Sequence, residues 1–195
     1  MNSPLLIAIV LVVLIYLLAR SRRSSGLAGS SAQVEDPPAP PETVYQGLRN
    51  MVLCGTRERF GLKATATPTE PWGVVMDWGV PNGTATVMAL SDGSASIYLS
   101  GGGGYLGGQK EESVRGAALK AVEIVREFQP RMRPTKDYIL PAAGEVIFYA
   151  LTDEGVFTAA EQEMQLRNPA HPFARLGTAM QNIVSQYRIL EEFKK

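Results

Sequence analysis

Six glycines fall within the eight residues Gly101-Gly102-Gly103-Gly104-Tyr105-Leu106-Gly107-Gly108. Gly102, Gly104 and Gly107 satisfy the G-x-G-x-x-G spacing, after an expected strand and before an expected helix. Such a loop can turn backbone N–H groups and a helix N-terminus toward a phosphate. Three features argue against a dinucleotide site. The preceding strand belongs to a hairpin, whereas the fingerprint needs a parallel βαβ unit. A match to three glycines is hard to avoid in a run this rich in them. About twenty residues on, where a ribose-binding acid belongs at a strand end, Glu123 and Glu127 fall inside an expected helix. Gln109-Lys110-Glu111 breaks the P-loop pattern as well. The run therefore reads first as a structural loop, flexible or closely packed. It reads next as a partner- or lipid-contacting loop, because Tyr105 and Leu106 put apolar side chains at its tip. A phosphate or nucleotide site ranks third.

Other residues capable of chemistry are few. Cys54 is the one cysteine and His171 the one histidine. No intrachain disulfide can form, and catalysis or metal binding that needs two histidines of this chain is excluded. His171, between Ala170 and Pro172 at an expected helix start, reads as a capping or surface residue. Cys54, near Met51 in an expected helix, reads as a buried structural thiol. Asp77, between Met76 and Trp78, could be a buried acid; the simpler reading points it to the solvent face of its strand. Trp72 and Trp78 read as core or edge anchors. The chain has no Gly-x-Ser-x-Gly, no His-Glu-x-x-His and no paired-cysteine spacing. A glycosidase-like carboxylate pair would leave no local signature. The expectation is a non-catalytic domain with no cofactor and no metal.

The elements that position these residues follow from hydrophobic periodicity. Val44, Leu48, Met51 and Val52 space as a helix that Gly61 could stop, with Gly47 and Gly55 either weakening it or marking a close backbone approach. Gly73–Val80, Thr84–Leu90 and Ser94–Ser100 read as strands joined at Asn82-Gly83 and Asp92-Gly93, two strong hairpin signals. In the third strand Ala95, Ile97 and Leu99 share one face, and Ser94, Ser96, Tyr98 and Ser100 the other, the pattern of a half-buried strand. A helix from Glu111 to Phe128 carries the stripe Val114, Ala118, Ala121, Val125 and Phe128, and Pro130 stops it. Glu145–Leu151 and Val156–Ala160 form a further hairpin, with a short strand near Tyr138–Leu140. A last helix starts near Pro169 or Pro172, capped by Asn168. Its Phe173, Leu176, Met180, Ile183, Tyr187 and Leu190 predict a core-packing stripe. Ala89-Leu90-Ser91-Asp92-Gly93 is echoed by Ala150-Leu151-Thr152-Asp153-Glu154-Gly155, and each hairpin leads into a helix. The fold class expected is α+β: an antiparallel sheet built from hairpins with about three helices.

Before this domain, Pro4–Ala19 reads PLLIAIVLVVLIYLLA without a charge. As a helix these residues span roughly 24 Å, short of the ~30 Å hydrocarbon core, and snorkelling by Arg20 with local thinning covers the rest. The competing reading is a cleaved signal peptide. Signal peptides carry positive charge ahead of the apolar core, whereas Arg20, Arg22 and Arg23 follow it, and the small-residue run Ala28–Ala32 lies far beyond. A membrane anchor over residues 1–20 is therefore expected. The three arginines favour a cytoplasmic C-terminal side, N-out and C-in. Residues 21–41, rich in Ser, Gly and Pro, read as a flexible linker, and residues 42–195 as one soluble domain. The chain has 19 basic and 19 acidic residues. Setting the three arginines aside leaves an acidic excess of three, which lacks the basic footprint of a nucleic-acid binder.

Val74–Trp78, then Ser91–Ser100 with the glycine cluster, resembles a set of bacterial membrane-anchored proteins of unassigned function. The element order helix, hairpin, helix, strands, helix, with its Asp92-Gly93 and Asp153–Gly155 turns, resembles roadblock and longin-type domains. That likeness implies a non-catalytic module that dimerises and binds small GTPases. The strand at Gly73–Val80 and the long glycine loop depart from the pattern. Three functions are carried forward. The first is a membrane-tethered interaction or scaffold domain that forms a homodimer, a state also suggested by the apolar last helix and by sheet edges that need cover. The second is an envelope-facing adhesion or assembly domain. The third is a nucleotide or phosphate binder using the glycine loop.

Overall fold

The computed structural model describes residues 41–192. The expected anchor and nearly all of the expected linker lie outside the described residues. Among the described residues no helix is long and apolar enough to cross a membrane. Pro41, expected to close the linker, is instead the first residue of helix α1 (Pro41–Leu53), a position whose missing N–H costs nothing.

The fold is α+β. Seven strands form one antiparallel sheet in the order β4-β3-β2-β1-β6-β7-β5. The meander is β1 (Gly73–Val80), β2 (Gly83–Leu90) and β3 (Ala95–Leu99), followed by the two-residue β4 (Gly104–Tyr105). Helix α2 (Glu112–Phe128) then leads to β5 (Arg133–Thr135), the hairpin β6 (Glu145–Thr152) and β7 (Gly155–Gln162), the short α3 (Glu163–Leu166) and α4 (Ala174–Glu192). Four α-helices are present among the described residues, against about three expected; the extra one is a single turn. The expected strand near Tyr138–Leu140 is irregular loop, and the short strand of that region lies earlier, at Arg133–Thr135.

The echoed hairpins meet at one residue. Leu90 and Leu151 both pair with Gly73, from opposite sides of β1. A Cβ at Gly73 would stand 2.8 Å from Leu90 Cδ2 and 3.2 Å from Leu151 Cδ1. The absence of a side chain there lets both leucines close over the same point of the central strand.

Helices cover both faces of the sheet. Val74, Met76, Val87, Ile97, Phe148 and Ala150 face α2 and α4 in one apolar core. The predicted α2 stripe is buried in full, and so is the α4 stripe from Leu176 to Tyr187. Arg175 of α4 donates to both carboxylate oxygens of Glu127 on α2, at 2.6 and 2.9 Å. Helix α4 starts at Ala174, later than expected. Asn168 caps a separate turn through Ala170 N–H at 3.0 Å, and His171 Nδ1 accepts the Phe173 N–H at 3.3 Å, just ahead of the helix.

On the opposite face lies α1, rotated from its predicted stripe. Tyr45, Arg49, Val52 and Leu53 are buried, whereas Val44 is 51% exposed. Tyr45 and Arg49 turn inward because the sheet below offers them Thr86 and Asp77 as polar partners among its buried apolar residues. The alternation of β3 is as expected, but its Ser96 and Tyr98 face is buried, not half-solvated. A strand pattern distinguishes its two faces without saying what lies on them.

Candidate functional site

Asp77 projects from the central strand β1 toward α1. It has no exposed surface, which corrects the solvent-facing reading. The reason is that α1 covers both Asp77 and its counter-charge. Arg49 Nε donates to Asp77 Oδ2 at 2.8 Å, and Arg49 Nη2 lies 2.6 Å from the same oxygen. Thr86, paired with Asp77 on the neighbouring strand, donates its hydroxyl to Oδ1. Tyr45 Oη and Thr86 Oγ1 are 2.8 Å apart. The rest of the guanidinium fork is also engaged. Nη1 donates to the Tyr138 carbonyl at 2.9 Å and Nη2 to the Ile139 carbonyl at 3.0 Å. The Tyr149 hydroxyl closes the cage, donating to the Ile139 carbonyl at 3.0 Å, with its ring 5.8 Å from the guanidinium carbon.

Burial dominates the electrostatics of this network. It pushes the Asp77 carboxyl up, against the opposing pull of Arg49 and Thr86. For Arg49, burial opposes the charge, but the hydrogen bond and charge of Asp77 outweigh it and the net direction is up. Burial and the charge of Asp77 together push Tyr149 up to about 12. Thr86 also keeps the carboxylate hydrogen-bonded, so the network is satisfied internally.

The glycine loop is packed onto the edge of the sheet. Gly104 and Tyr105 form β4, which pairs with Tyr98 and Ile97 of β3. Gly104 has φ +144°, and a Cβ there would collide with the Ile97 carbonyl. Tyr105 stacks on Tyr187 of α4 with centroids 4.9 Å apart. Gly107 N–H donates to Ser96 Oγ at 3.2 Å, and Gln109 Nε2 reaches Asp92 at 3.1 Å. Gly108 is buried against Tyr187 and Val114, where no side chain would fit. Of the eight loop residues, Gly101, Gly103, Gly104 and Leu106 are exposed; Leu106, at 46%, is the one of them with a large apolar side chain. The run does not open directly into α2. A 3-10 turn over Gly108–Lys110 intervenes, and Glu111 and Glu112 begin the helix. Two carboxylates at that end suit the helix dipole and repel an anion.

An open cleft of about 440 Å³ lies where α1 ends and the β6–β7 turn begins. Leu53, Trp72, Tyr138 and Val156 supply apolar lining, and Arg57, Glu58, Asp153 and Glu154 the charges. Arg57 Nε donates to both oxygens of Asp153, at 3.1 and 3.0 Å, joining the first loop to the second hairpin. Cys54 lines this cleft and is exposed, correcting its reading as a buried thiol. It falls just past the last turn of α1, beyond the buried face. Trp72 is buried, and its indole N–H has no hydrogen-bond partner. Trp78, half-buried, donates to Glu163 Oε2 at 2.9 Å.

Sequence reasoning named Asp77 but not Arg49, Tyr45, Thr86 or Tyr149, and it placed Asp153 in a turn without its partner Arg57. Arg49 and Asp77 are 28 residues apart, too far for any local spacing rule. The available signal was an acid inside an apolar strand. No group of three metal-ligating side chains occurs among the described residues. No protein-family model, curated protein or solved structure matches the chain.

Proposed function

We propose that the chain is a membrane-tethered, non-catalytic interaction or scaffold domain, anchored through residues 4–19 with its domain on the cytoplasmic side. The observation that carries the interaction reading is the open cleft at the end of α1 and its continuation onto exposed apolar surface. Tyr138 lines the cleft. The next two residues, Ile139 and Leu140, are 63% and 43% exposed, an arrangement that suits a partner surface better than solvent. Glu58, Asp153 and Glu154 outnumber Arg57 at the rim, so a partner segment with apolar and basic residues fits best. The charged pair best buried for catalysis, Arg49 and Asp77, is closed over by α1 and engaged with its own hydrogen bonds.

Two features that suggested a homodimer are used within the chain. The apolar stripe of α4 faces its own core. The edge strands are only two and three residues long, and β5 contains Pro134, which has no N–H to offer another strand, so what edge is left is the short stretch of β7 beyond Thr158. The partner favoured here is therefore a different protein.

A photocrosslinking residue at Ile139 in the full-length chain, expressed in its own cells, tests the reading. Discrete protein adducts are expected at Ile139 and not at Lys120 on the exposed side of α2. Leu140→Asp should remove them. Equal labelling at both sites, or none, overturns the assignment of this surface. Protease protection of a C-terminal tag tests the orientation separately: cleavage once only the outer barrier is opened would favour the envelope-facing reading.

A further inference from the structure

Helix α1 is attached to the sheet by two different kinds of contact. At its C-terminal end Val52 and Leu53 are buried, Leu53 lines a cleft with Trp72, and the Phe60 and Trp72 rings lie 5.9 Å apart. Gly55 makes that end tight: a Cβ there would meet Phe60 Cε2 at 2.5 Å and the Met51 carbonyl at 2.6 Å. Toward the N-terminal end the buried side chains are Tyr45 and Arg49, and both engage polar groups. The sheet beneath carries Asp77, Thr84, Thr86 and Ser96, all buried, on the same face as the buried apolar Val75, Met88 and Ile147. The charged and hydroxyl part of that interface gains little on closure compared with exposing the same groups to water. Among the described residues, α1 is joined to the fold only at its C-terminal end. It can lift without parting any β-strand or separating α2 from α4.

We propose that α1 is a hinged latch: it pivots at Gly55, packed against Phe60 beside Trp72, and is locked by the Arg49 guanidinium in a cage of Asp77, the Tyr138 and Ile139 carbonyls and Tyr149. In the closed state Arg49 plugs a site shaped for a planar fork of donors. In the open state that site presents one carboxylate ringed by hydroxyls and carbonyls. The helix leads directly out of the N-terminal segment, so a pull or a partner acting on that segment reaches the Arg49 lock before it reaches the sheet. The latch does not rest on the partner reading, although its cage shares the Tyr138 and Ile139 carbonyls with that surface.

Native-state hydrogen exchange on the full-length protein tests this. The expected result is that amides of α1 from Tyr45 to Leu53 exchange at least about 100-fold faster than those of β1 and β6, through a partial opening that leaves the sheet protected. Asp77→Asn, which leaves Arg49 buried without its counter-charge, should raise α1 exchange by about a further 100-fold while β1 and β6 remain folded. Arg49→Lys keeps the charge and loses the fork, and should raise it about 10-fold. A common exchange rate for α1, β1 and β6 in the wild-type protein overturns the latch, whether or not either variant folds. Unchanged α1 exchange in Arg49→Lys overturns the role of the fork.

Discussion

The two faces of the central sheet are both buried, and they differ in what they bury. The face under α2 and α4 is apolar, with Val74, Met76, Val87 and Phe148 almost wholly enclosed. The face under α1 also buries Val75, Met88 and Ile147, but sets a charged pair and several hydroxyls among them. Burial of apolar area is favourable without regard to orientation. A buried ion pair stabilises only when its geometry compensates for desolvation. The first face therefore supplies stability. The second specifies where one helix sits and leaves that helix more easily detached.

The sharpest way to break the comparison is to damage each face in turn. Phe148 is fully buried and stacks on Phe173 with centroids 6.1 Å apart. Phe148→Ala should cost about 3–5 kcal/mol, read as a lower denaturation midpoint for the whole domain. Next comes the charged face. Asp77→Asn alone should cost about 3 kcal/mol, because it strands a buried guanidinium. The double variant Arg49→Met with Asp77→Leu should cost less than the single one. A double variant as unstable as the sum of its two single variants would show that the two residues act through other partners and that their mutual attraction contributes nothing.

The edge next to the glycine loop gives a smaller effect. Gly104→Ala places a Cβ against the Ile97 carbonyl at a positive φ. It should cost about 1–3 kcal/mol and free Tyr105 from Tyr187, visible as new tyrosine mobility. Gly103→Ala, at φ +85° but with open space around it, should cost less, about 1 kcal/mol. Equal costs would mean that backbone conformation, and not the close approach of β4, is what the loop requires.

Alkaline titration separates the faces most gently. Burial pushes Tyr98, Tyr149 and Tyr187 up to about 12, from an ordinary value of 10.0. For a group whose folded value is raised, the stabilising contribution is complete below the unfolded value and is lost as pH rises through the folded one. Stability should therefore fall between pH 10 and 12. Tyrosinate absorbance should show these three ionising late, coincident with unfolding. A normal titration for Tyr149 would mean that α1 and the Tyr138–Leu140 loop do not close over it.

Much of the fold was legible because its signals are local. Asn82-Gly83 and Asp92-Gly93 marked two turns. Glycine opens β2 in the first, and the turn residues themselves are Pro81 and Asn82, since Val80 pairs with Gly83. The stripes of α2 and α4 named their buried residues because a helix covered by a sheet needs one apolar face. Strands β4 and β5 were not legible: two or three residues are too few to show a period. The buried cage was not legible either, because its members come from α1, three strands and the Tyr138–Ile139 loop.

The sequence by itself determined the alternation of β3, the hairpin echo and the packing faces of α2 and α4. Each depends on the chemistry of residues a few positions apart. Only the tertiary structure decided that Leu90 and Leu151 converge on Gly73, that the glycine run folds back as an edge strand, and that Asp77 is buried under Arg49. Those outcomes depend on which distant segment covers a face. A strand's own pattern can require that its faces differ, but the helix that arrives determines whether a polar face meets water or a counter-charge.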